Sequence, residues 1–162
     1  LSPAVKTSKI VMTDQTPKVK KRAGKVIHGA VSLHALEKAK EIRNRYGNNI
    51  DYQTVLSMLG DRKSVRYPVQ VRFVSGEIEP GMFAKTEAVS DNPDDGYTIL
   101  LHSYFENRHA DLPALILYQL VLVNYGDLAT ANDAEIFGAT VLGMDRDAYY
   151  EQVSSLADAA WR

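Results

Sequence analysis

The chain of 162 residues contains no cysteine. That absence removes disulfide frameworks, thiolate zinc sites, iron–sulfur clusters and thiol nucleophiles together. Long apolar runs are missing too, and none approaches the roughly 18 residues that cross a bilayer. Glycine-rich phosphate loops, a G-x-S-x-G nucleophile turn and histidine pairs at helical i, i+4 spacing are all absent. The N-terminal stretch lacks the apolar core of a signal peptide. With 45% hydrophobic and 24% charged residues, the composition leads us to expect a globular protein of the cytoplasm or another reducing compartment. No cofactor is implied.

Charge is unevenly spread. Residues 1–26 hold seven basic side chains against Asp14 alone, a net of +6. The remaining 136 residues carry twelve basic and nineteen acidic groups, a net of −7. We therefore divide the chain into a basic arm, 1–26, expected to be extended, and a single globular domain, 27–162. The arm has Pro3 and Pro17 and no sustained apolar period, so it lacks the surface that offsets ordering entropy. Its basic run, Lys18, Lys20, Lys21, Arg22 and Lys25, suits an acidic partner surface or a nucleic-acid backbone. A solvated tail is the alternative. No aromatic residue interleaves these charges, so base stacking has no support.

The body opens with a helix that Ser32 is placed to cap and that runs to about Tyr46, where Ala35, Ala39, Ile42 and Tyr46 share a face before Gly47. A short helix follows Asp51, with Val55, Leu56 and Leu59 inward. Val69, Val71 and Phe73 then alternate with Gln70 and Arg72 as a half-buried strand does. Met82–Val89 reads as an edge strand. Turn chemistry at 90–96 joins it to Tyr97–His102, which predicts an antiparallel hairpin. Three helices finish the chain. The first, from Pro113 to about Tyr125, is apolar almost all round and hence buried on several sides. The second opens at a Thr130–Asp133 capping box, and the third at Asp145. Strands grouped between helices predict an α+β fold, with a small three- to four-stranded, mainly antiparallel sheet packed against helices.

The order of strand YTILLH, polar loop, buried helix ALILYQLVLVNYGD and then DAEIFGATVLG resembles the zincin metallopeptidases. The likeness covers residues 33–143 in element order and 97–143 in sequence. In that family one helix carries H-E-x-x-H and the next supplies an acidic third ligand shortly before an aromatic–small pair. The resemblance places Tyr118 and Leu122 at the histidine positions, Gln119 at the general base, and Asp133 or Glu135 near the third ligand, before Phe137-Gly138. Leucine cannot coordinate zinc, and a phenol with a pKa near 10 is a poor substitute for imidazole. Glutamine cannot take a proton from bound water. The implied protein is a zincin fold without its metal or catalytic residues, acting through other protein subunits.

Other readings stand beside it. The apolar helix suits any α+β core, and Asp133 suits its capping box. A metal-dependent hydrolase would draw on His102 and His109, which flank the loop after the third strand, with Asp133 or Glu135. A nucleic-acid-associated protein would use the arm.

Overall fold

The computed structural model describes the backbone from residue 18 and the side chains from residue 29. Five helices and a three-stranded sheet follow in the order α1 (Lys18–Tyr46), α2 (Tyr52–Leu59), β1 (Val69–Val74), β2 (Ala84–Ala88), β3 (Tyr97–His102), α3 (Leu112–Tyr125), α4 (Ala131–Leu142) and α5 (Arg146–Ala160). The fold is α+β. Among the described residues no helix is long and apolar enough to cross a membrane.

The first helix begins well before Ser32. Residues 18–26, expected to be extended, are helical, in keeping with the strong helix propensity of lysine, arginine and alanine. The side chains of Lys18, Lys20, Lys21, Arg22 and Lys25 lie outside the described ones, as do residues 1–17. Ser32 caps nothing; its Oγ donates to Asp133 Oδ1 at 2.5 Å and ties α1 to α4. Further along, Ala35, Ala39 and Ile42 are fully buried, as the periodicity predicts. Asp51 caps α2 by accepting from Thr54 N–H at 2.8 Å. Met58 takes the inward place expected for Leu56, which is 37% exposed.

The sheet is mixed, and the expectation of a mainly antiparallel one needs correction. Its spatial order is β1-β3-β2. β2 and β3 form the predicted antiparallel hairpin, with Thr86 opposite Ile99. β1 pairs with β3 in parallel, Val71 opposite Ile99. The chain leaves β1, skips one strand position to lay down β2 at the far edge, and returns β3 into the gap. β3 therefore runs against β2 and along β1. Gly96 makes this insertion possible. Its φ is +94°, and a Cβ there would lie 2.4 Å from the Pro68 carbonyl oxygen. That same carbonyl accepts from Tyr97 N–H at 2.8 Å, pinning the start of β3 beside β1.

Helix α3 is the centre of the molecule. It touches β2 and β3 on one side, and α2, α4 and α5 on others. Every residue from Leu112 to Asn124 is buried, which explains a surface apolar almost all the way round. α1 packs mainly on α4.

Candidate functional site

The middle of α3 carries the positions that the resemblance singles out. Tyr118 and Gln119 are fully buried, and Leu122 is 6% exposed. The Tyr118 ring meets Phe83 edge-on, with centroids 5.7 Å apart. Its hydroxyl is buried without a hydrogen-bond partner. Burial pushes the phenol pKa up, and the charge of Glu135 and neighbouring Tyr150 add to the shift. The group is a neutral phenol at any physiological pH. Gln119 Oε1 accepts from the Thr86 hydroxyl at 2.8 Å, fastening α3 to the edge strand.

Asp133 and Glu135 are both engaged. The Thr130–Asp133 capping box forms as predicted: Asp133 N–H donates to Thr130 Oγ1 at 3.2 Å and Asp133 Oδ2 accepts from Thr130 N–H at 2.9 Å. Its other oxygen takes the Ser32 bond. Glu135 Oε1 accepts from Arg146 Nε at 3.2 Å and from the same guanidinium's terminal nitrogen at 3.0 Å. The small residue of Phe137-Gly138 has a packing cause. A Cβ on Gly138 would stand 2.2 Å from the Tyr149 ring. Tyr149 is itself fully buried, and its hydroxyl donates to the Ala114 carbonyl at 2.7 Å.

These residues do not fit a zinc ion. Zinc takes imidazole, thiolate or carboxylate ligands at roughly 2.0–2.3 Å, whereas α3 offers a neutral phenol, an amide tied to Thr86 and a leucine. Among the described residues no group of three or more His, Asp or Glu side chains is placed to hold a metal. His102 and His109 serve separate neighbourhoods. His102 Nδ1 accepts from Tyr104 N–H at 3.0 Å, and its ring lies edge-on to Trp161 at 4.9 Å. Desolvation lowers its pKa below the ordinary imidazole value. His109 packs on Tyr52, centroids 5.0 Å apart.

The polar end of α3 is different. Asn124 Oδ1 accepts from Arg66 N–H at 2.8 Å, and its Nδ2 donates to the Ser64 carbonyl at 3.2 Å. Tyr125 and His34 share a 2.6 Å hydrogen bond between hydroxyl and Nδ1. Burial, with Asp133 and Glu41 nearby, pushes the Tyr125 phenol up to about 12. Together with Lys38 of α1 and residues 62–64 and 66, these groups line an open cleft of about 250 Å³. Periodicity and motif do not single out the segment after α2. Its signal was present in Asp61-Arg62-Lys63-Ser64-Val65-Arg66, three cations within five residues of an acidic body.

No family model, no curated protein and no solved structure matches this chain.

Proposed function

We propose that this chain is a zincin-like pseudoenzyme, a non-catalytic binding or structural subunit of a protein assembly. The observation that carries the reading is the closure of Tyr118, Gln119 and Leu122 within the core. A catalytic helix must present its ligands and base to substrate and water, and these three present nothing to either. Asp133 and Glu135 support the same reading, because each spends its carboxylate on a helix start or an arginine. A fold that has lost its chemistry still presents surfaces, and function then resides in what those surfaces bind.

The metal-dependent hydrolase draws little support from residues so dispersed. Native mass spectrometry of the full chain, purified from its own source with and without a chelator, tests the proposal. The expected result is a metal-free mass accompanied by protein partners in whole-number ratio. A chelator-sensitive metal overturns the non-catalytic half, and a bare monomer overturns the assembly half.

A further inference from the structure

The cleft at the C-terminal end of α3 gathers an unusual share of the body's positive charge. Only twelve lysines and arginines fall within residues 27–162. Four of them, Lys38, Arg62, Lys63 and Arg66, line this one recess, and no carboxylate does. Among the described residues no ion pair involves Arg62, Lys63 or Arg66. Lys38 meets Glu41 at 3.2 Å, on the exposed side of α1. Like charges brought together with fewer counterions than cations repel one another, so such a cluster is a standing cost to the fold that an anion would relieve.

Arg62 and Lys38 are also held in place, as is the backbone that carries Lys63 and Arg66. Asp61 accepts from Ser64 Oγ at 2.8 Å, Lys63 N–H at 2.9 Å, Tyr46 at 2.9 Å and Arg45 at 3.0 Å, which fixes the loop from behind. One terminal nitrogen of Arg62 donates to the carbonyls of Leu59, Val65 and Tyr67 at 3.0–3.2 Å. The guanidinium is thus positioned by backbone and keeps its charge. Lys38 Nζ donates to the Lys63 carbonyl at 2.9 Å, joining α1 to the loop. Buried Asn124 locks the loop onto α3. Donors set in advance lose less entropy when a ligand arrives.

We propose that this cleft binds a small phosphate ester. Lys38, Arg62, Lys63 and Arg66 surround the phosphate, as guanidinium forks and ammonium groups do in charge-assisted hydrogen bonds. The Tyr125–His34 pair walls the organic part. A volume of about 250 Å³ lies just below the range of small-molecule pockets, which starts at roughly 300 Å³, and favours a single small ester over a polymer. The inference rests on the cleft alone, so it can fail or hold independently of the zincin-like reading.

Calorimetric titration of the full chain at low salt, with AMP and with inorganic phosphate as probes, tests it. We expect saturable one-to-one binding of at least one probe, and none of chloride at matched ionic strength. Lys63→Glu with Arg66→Glu lowers affinity about tenfold or more, as loss of one or two charge-assisted bonds requires. Both residues are exposed, so the variant keeps its fold, checked by its melting temperature without ligand. Arg72→Glu, on the exposed side of β1, leaves binding unchanged. Absence of saturable binding by both probes, or an undiminished affinity in the double variant, overturns the proposal. So does an affinity that climbs steadily with oligonucleotide length, which would reassign the cleft to a nucleic-acid backbone.

Discussion

One helix serves two unlike regions. The middle of α3, around Tyr118, Gln119 and Leu122, is closed on every side by β2, β3, α4 and α5. Its end, at Asn124 and Tyr125, opens onto a cleft lined by cations. In the first region each polar atom is settled inside the protein, Tyr118 Oη excepted. In the second, Arg62, Lys63 and Arg66 stand without an ion pair among the described residues, on a loop whose backbone is firmly fixed. Packing explains the sealed region almost entirely. The open one has an arrangement that packing does not require, and that difference says where binding chemistry is to be sought.

The sharpest way to break the contrast is to place a carboxylate in the sealed region. Gln119→Glu introduces a carboxylate at a fully buried position beside Thr86. A buried carboxylate left without an ion-pair partner costs roughly 3–5 kcal/mol, and a loss of that order is expected. Burial raises the folded-state pKa of such a group above its unfolded value near 4.3. Its penalty is therefore small below that unfolded value and grows as pH rises through it. Chemical denaturation at pH 4, 6 and 8 reads the trend, and a loss independent of pH would show that the site is not sealed.

Two tyrosines test the same region more finely. Tyr149→Phe removes a hydroxyl that donates to the Ala114 carbonyl at 2.7 Å, and should cost about 1–2 kcal/mol because that acceptor is left buried. Tyr118→Phe removes a hydroxyl that has no partner. It should leave stability unchanged or raise it, since the phenol gains nothing from burial. Equal losses in paired denaturation curves would mean that Tyr118 Oη is satisfied in solution.

Much of the sealed region is legible in the sequence, because it obeys periodic rules. The stretch Leu112–Val123, apolar but for Gln119 and the Tyr118 hydroxyl, predicts its own burial, and Thr130 with Asp133 predicts the capping box that forms. Other features depend on partners distant in sequence. Ser32 looks like a helix cap until Asp133, 101 residues away, takes its hydroxyl. The parallel pairing of β1 with β3 follows from a strand inserted between two others, which local alternation does not encode. Nor does alternation reveal the cleft. Its lining comes from α1, from the loop after α2 and from the end of α3, and each contributes a few charges that look like ordinary surface.

The loop beneath the cleft has its own acid limit. Hydrogen bonds from Ser64, the Lys63 N–H and Tyr46, with the charge of Arg45, lower the Asp61 pKa from 3.8 to about 2. A depressed carboxylate stabilises the fold fully above its unfolded value, and that contribution is lost as pH falls from about 4 to about 2. Denaturation midpoints across that window should drop in the native chain and fall less steeply in Asp61→Asn. An identical slope in both would place the acid sensitivity elsewhere.

The smallest expected effect decides what the cations are for. Lys63 and Arg66 are exposed, and neither belongs to an ion pair among the described residues. Arg66 stacks over the Tyr67 ring at 5.2 Å, a contact of modest worth where solvent reaches it. Replacing both residues by glutamate should therefore change stability by no more than about 0.5 kcal/mol. At low salt a slight gain is expected, because the change relieves repulsion with Lys38 and Arg62. A loss above about 2 kcal/mol in urea denaturation would mean that the loop needs these charges to fold, and the cleft would then be a by-product of its structure. A negligible loss leaves charges that the fold does not need gathered around a recess that an anion fits. Substitutions in the middle of α3 would then cost stability, while those at its end would cost only binding.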